Sequence, residues 1–150
     1  MFLNRLNLVN FKTYSELEID LSSRLNCFVG NNGVGKTNLF DSVYYLAFGK
    51  SYFNATDTDS IRHGEDFFMI QGDFVFDDRM ERVQCALRKE QKKKIRRNDK
   101  EYSRMADHVG LIPLVMVSPA DSSLILEGSE ERRRYMNGVI SQYDRQYLDD

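Results

Sequence analysis

Tryptophan is absent from the 150 residues, and proline, cysteine and histidine occur only twice each. Two prolines cannot build a polyproline linker, and 41% hydrophobic with 29% charged residues excludes a disordered or low-complexity chain. No apolar run approaches the ~18 residues that a membrane-spanning helix needs. The opening MFLNRLNLVN alternates polar and apolar residues. It has no basic start, apolar stretch or small-residue cleavage site, so it does not read as a signal peptide. Cys27 and Cys85 are two thiols in a chain long enough to bury a core, which argues against a disulfide framework and for a reducing, cytoplasmic setting. With His63 and His108 equally far apart, no zinc site is suggested. At 17.6 kDa the length fits about one domain.

Charge of neither sign dominates: 21 Lys and Arg oppose 23 Asp and Glu. The distribution is uneven. Residues 54–81 hold 8 acids and 2 bases, whereas residues 88–104 hold 9 bases and 3 acids. Local fields of this kind, rather than the net charge of -2, steer partners. Lys92, Lys93, Lys94, Arg96 and Arg97 are therefore candidate contacts to DNA phosphates, against the plainer reading of a solvated hairpin whose lysines blunt an edge strand. Interleaved aromatics are lacking apart from Tyr102, so base stacking is not suggested. Arg132, Arg133 and Arg134 form a second basic cluster, but three consecutive helical residues fan over three directions.

Hydrophobic periodicity predicts strands at 2–11 and 14–21, the second with Leu17, Ile19 and Leu21 on one face. Leu25–Val29 reads as a short buried strand, and Lys36–Phe48 as a helix stopped by Gly49. An irregular loop or short helix follows at 50–65. Antiparallel strands are expected over 66–97, with turns at Asp77–Asp78 and Asn98–Asp99. A short helix at 103–110, a buried strand at Leu114–Val117 and a final helix complete the expectation. That helix starts near Ser129, with Tyr135, Met136, Val139, Ile140 and Tyr143 as its apolar stripe. Ser118 and Asp121 read as an Asp-capped turn or, alternatively, a nucleotide-sensing loop. His63, His108, Tyr44 and Tyr45 read as packing or surface residues rather than catalysts or an adenine shelf.

The chemistry concentrates at Gly30-Asn31-Asn32-Gly33-Val34-Gly35-Lys36-Thr37, which fits the phosphate-binding pattern G-x-x-x-x-G-K-[ST] between an apolar run and an amphipathic helix. The glycines let successive N–H groups converge on an anion, and the helix N-terminus adds partial positive charge. Lys36 is the expected point charge for the β- and γ-phosphates of ATP, and the Thr37 hydroxyl the ligand for Mg²⁺. This loop alone does not choose among kinases, GTPases, transporters and repair ATPases.

The surroundings narrow the choice. Leu8-Val9-Asn10-Phe11-Lys12-Thr13-Tyr14, the Gly33–Leu39 stretch, Gly49-Lys50-Ser51 and Ile61-Arg62-His63-Gly64 occur in order. Val109–Pro113, Ser118-Pro119-Ala120-Asp121 and Gly128–Tyr135 follow. Together they resemble the RecF family of bacterial DNA replication and repair proteins, within the SMC group of ABC-type ATPases. Lys12 stands where that family usually has Arg, which keeps the charge without the fork geometry. Ala120 and Asn137 replace family acids.

The resemblance implies an α/β fold: lobe I of an ABC-type head over 1–110, with the antiparallel subdomain, and the start of a helical second domain over 111–150. It implies that Lys12 and Asn38 join residues 30–37 around ATP, and that Arg132 and Arg133 face DNA or pack between domains. For the complete protein it implies a weak DNA-dependent ATPase that dimerises on nucleotide and binds single-stranded or gapped DNA. Such a protein works with RecR-type mediator proteins to load a recombinase in repair, fork maintenance and the SOS response. No apolar run ending in Asp-Glu and no Ser-Gly-Gly signature occurs here. The chain thus reads as the N-terminal part of such a protein, with little hydrolysis of its own and no catalytic residue. The alternatives are a small phosphotransferase, a transporter ATPase subunit, or a nucleic-acid-binding module whose loop is structural.

Overall fold

The computed structural model describes residues 1–77, 79–102, 104, 107–122, 129–144 and 147. Strands β1 (Phe2–Phe11) and β2 (Tyr14–Asp20) open the chain as the alternation predicts, joined by a tight turn in which Lys12 takes φ of 51°. Helix α1 runs from Lys36 to Phe48. Gly49 ends it with φ of 65° and an N–H donated to the Tyr45 carbonyl, as a helix-terminating glycine does. After a 3-10 turn at Asp57–Ser60 come β3 (Phe67–Phe76), β4 (Arg79–Arg88), β5 (Lys94–Arg97) and β6 (Lys100–Glu101). Helix α2 spans Ser129–Tyr143.

All six strands form one antiparallel sheet in the order β2-β1-β3-β4-β5-β6. The antiparallel unit expected at 66–97 is thus larger: β1 pairs with both β2 and β3, and the sheet reaches from residue 2 to residue 101. The register Leu8↔Ile70↔Cys85↔Ile95 places four buried side chains in one row across four strands. On that face α1 lays down Leu39, Tyr45, Leu46 and Ala47. Phe11, Tyr45 and Phe68 meet edge to face with centroids 5.3 to 6.1 Å apart, the geometry that ring quadrupoles favour. Gly72 leaves room for Leu46, whose Cδ1 would stand 2.8 Å from a Cβ at that position.

Two sequence expectations are corrected. Leu25–Val29 and Leu114–Val117 are not buried strands; neither is hydrogen-bonded into the sheet. Leu25 is 77% and Val29 91% exposed, and Val115 and Val117 are exposed too. An apolar run becomes an interior strand only with neighbours to pair and cover it, and among the described residues none does so. The apolar stripe of α2 is likewise only half realised: Val139 and Ile140 are half-buried, while Tyr135, Met136 and Tyr143 are exposed. The end of α2 packs back on the chain, with Gln142 Oε1 accepting the Leu114 N–H at 2.8 Å. The short helix expected at 103–110 falls partly outside the described residues, and 108–110 form a turn.

Candidate nucleotide-binding site

The strand-turn β1–β2 and the N-terminus of α1 build the site between them. Gly33 has φ of 86° and Gly35 φ of 101°, left-handed conformations that glycine adopts without steric cost. Gly35 is the N-cap of α1 and makes no side-chain capping bond, so the first amides of the helix stay open to an anion. Asn31, Asn32, Gly33 and Val34 are exposed. Lys36 folds back over the loop, its ammonium donating to the carbonyls of Gly30 and Asn31, each at 2.7 Å. Thr37 sits exposed in the first turn of α1. The structure therefore places Gly30 through Thr37 in one turn that opens into the N-terminus of α1.

The loop is held from behind. A Cβ on Gly35 would stand 2.6 Å from Thr13 Oγ1 and 3.2 Å from Tyr14 Oη. The Tyr14 hydroxyl donates to the Gly35 carbonyl at 3.1 Å, and burial raises the pKa of that phenol. Asn38 donates through Nδ2 to Thr13 Oγ1 at 3.1 Å, so its side chain fastens α1 to the β1–β2 turn.

Lys12, expected beside ATP, is seated against α1. Its ammonium lies 2.5 Å from Asp41 Oδ2 and 3.2 Å from Ser51 Oγ, with its side chain only 9% exposed. Asp41 is fully buried on α1 and also accepts from the Ser51 hydroxyl and the Tyr52 N–H, each at 2.7 Å. The Lys12 charge is thus paired with a carboxylate inside the fold. Sequence reading missed Asp41 and Ser51. The available signal was an acid, beside Ser42, inside the largely apolar Leu39–Phe48 stretch, which demands a cationic partner.

The basic stretch divides by strand parity. Lys93 and Arg97 share the inward face with Ile95. Lys93 pairs with Asp57 at 2.5 Å, and Arg97 pairs with Glu81, whose carboxyl is held below its ordinary pKa chiefly by that hydrogen bond. Each of these two cations thus already serves a carboxylate. Lys92, Lys94 and Arg96 are exposed, Arg96 with Glu101 at 3.9 Å. Arg132 and Arg133 are exposed on α2. Asp121 accepts the Ser118 N–H at 2.5 Å and the Tyr52 hydroxyl at 2.6 Å, the capped turn; those two bonds hold its carboxyl below the usual range, Tyr52 first. His108 is buried with Nε2 at 2.5 Å from the Leu46 carbonyl, and His63 is exposed, so both are packing or surface residues.

A family model described as an AAA domain matches residues 5–135. The chain belongs to the AAA domain family. Among curated relatives, the DNA replication and repair protein RecF of Flavobacterium johnsoniae is 53% identical over 148 residues. That alignment covers 99% of this chain and 41% of the relative. RecF of Bacteroides fragilis is 54% identical over 150 residues, covering 99% and 40%. The chain thus spans about two-fifths of the length of the curated relatives it matches. A solved structure of the recombination mediator RecF with ATP, from the RecFOR pathway, superposes with a TM-score of 0.91 at 23% identity. It covers 99% of this chain and 41% of that one. An SMC head bound to the C-winged helix domain of ScpA gives 0.72 at 18% identity, covering 99% and 53%. These matches bear out the resemblance to RecF proteins read from the sequence, and the fold is that of RecF and SMC head domains. No helix among the described residues is long and apolar enough to cross a membrane.

Proposed function

We propose that this chain is the ATP-binding part of a RecF-like DNA repair ATPase. The observation that carries the reading is the loop itself: left-handed Gly33 and Gly35 open onto uncapped amides of α1, with the Lys36 ammonium curled over them. A triphosphate fits this donor set. Open amides and the helix dipole meet the phosphate oxygens, and Lys36 exchanges two neutral carbonyl oxygens for charged phosphate oxygens, a stronger partner for an ammonium. The exposed Thr37 hydroxyl would hold Mg²⁺, which supplies charge neutralisation between the phosphates. Tyr14, Thr13 and Asn38 keep the loop in place from behind.

For the complete protein the reading extends to nucleotide-dependent dimerisation, binding of single-stranded or gapped DNA and support of recombinase loading with mediator proteins. The likeness to RecF relatives supports it, and the cytoplasm is the matching location. The test is Lys36→Ala in the full-length protein. ATP binding measured by calorimetry should be lost while the melting temperature stays put, because Lys36 bonds only exposed carbonyls. Retained ATP affinity in that variant would remove the reading.

A further inference from the structure

The outer face of the sheet, opposite α1, carries a charge gradient. At the β2 edge it shows Glu16, Glu18 and Asp20, with Arg5 answering the last two. At the far side lies a groove of about 230 Å³ whose floor includes Phe67 and Ala86 and whose rim includes Arg88, Gln91, Lys92 and Lys94. Arg88 stands over the Phe67 ring at 5.5 Å. Among the described residues Arg88, Lys92 and Lys94 have no carboxylate within ion-pair distance, unlike Lys89, Lys93, Arg96 and Arg97 on the same segment. The inward cation Lys93 pins this hairpin to the body: Asp57 takes Lys93 on one oxygen and the Tyr45 hydroxyl of α1 on the other, each at 2.5 Å.

We infer that this groove binds the phosphate backbone of single-stranded DNA, with Arg88, Lys92 and Lys94 as the contacts. The inference rests on the DNA-repair reading above and narrows it to one surface. Three unpaired cations around an apolar and aromatic floor make a polyanion site of the kind that tracks a single strand without reading its sequence. Acids at the opposite edge of the same face repel the strand and confine it to the β4–β5 end. Lys93 and Arg97 act as struts that present the rim and make no contact with the strand.

The experiment compares the full-length protein with K92Q/K94Q and with the charge-matched R24Q/R79Q, whose exposed cations lie off the groove. Binding of a single-stranded oligonucleotide is followed by anisotropy across a salt series. Losing two phosphate contacts should lower the slope of log K against log salt by about 1.4 and weaken all oligonucleotide sequences alike. R24Q/R79Q should keep the wild-type slope, and all three proteins should bind ATP equally. If the wild-type protein binds DNA and K92Q/K94Q keeps its slope and affinity, the groove is overturned while the DNA reading stands. If the wild-type protein binds no DNA, both are overturned.

Discussion

Lys12 and Asp41 form an ion pair inside the protein, Nζ to Oδ2 at 2.5 Å, that ties the β1–β2 turn to α1 one turn beyond the phosphate loop. Asp41 is fully buried and also accepts from Ser51 and Tyr52, so the pair closes a three-way junction of strand-turn, helix and the loop after the helix. Removing one partner strands the other charge. Lys12→Met should cost about 3–5 kcal/mol, measured by urea unfolding. Lys12→Met with Asp41→Leu should recover much of that loss. A single variant as stable as wild type would show that the pair does not hold the junction.

Burial, reinforced by the positive charge of Arg97, holds His108 below its ordinary pKa despite the Leu46 carbonyl pulling the other way. The folded state therefore binds fewer protons than the unfolded one between the two values. Stability should rise with pH through that window and fall as pH drops below about 6.5. His108→Gln keeps a donor for Leu46 and should flatten this dependence. Unfolding curves between about pH 5 and pH 7 measure both slopes.

The two thiols should differ in reactivity. Cys85 lies in the core row between Ile70 and Ile95, and burial pushes its pKa up to about 12; Cys27 is exposed. A thiol reagent should label one site quickly in native protein and the second only with unfolding. Rapid native labelling of Cys85 would contradict the packing of α1 on the sheet.

Gly72 and Gly138 should respond oppositely to alanine. A Cβ at 72 would meet Phe74 Cε2 at 2.7 Å and Leu46 Cδ1 at 2.8 Å, whereas at 138 it meets nothing within 4 Å among the described residues. Gly72→Ala should cost about 1–3 kcal/mol by overpacking. Gly138→Ala in α2 should stabilise by up to about 1 kcal/mol. Thermal melts of the two variants decide it.

The phosphate loop, α1 and its glycine stop, and every strand with period-two alternation were legible in the sequence. Those features depend on local spacing: left-handed glycines, a 3.6-residue stripe, alternate residues on a pleat. The bounds of α1 came out at Lys36 and Phe48 for that reason. Parity along β5 was legible as well, but not its consequence. That Lys93 and Arg97 are spent on Asp57 and Glu81 follows from partners 36 and 16 residues away.

Sequence alone determined the glycine-rich loop at a helix mouth, because that loop is made by contiguous backbone. Only the tertiary structure decided which cations remain available. Lys12 is paired with Asp41, and the runs at 25–29 and 114–117 stay out of the sheet. Ion pairing and strand pairing are settled by residues distant in the chain that burial brings together, and no local pattern encodes that encounter.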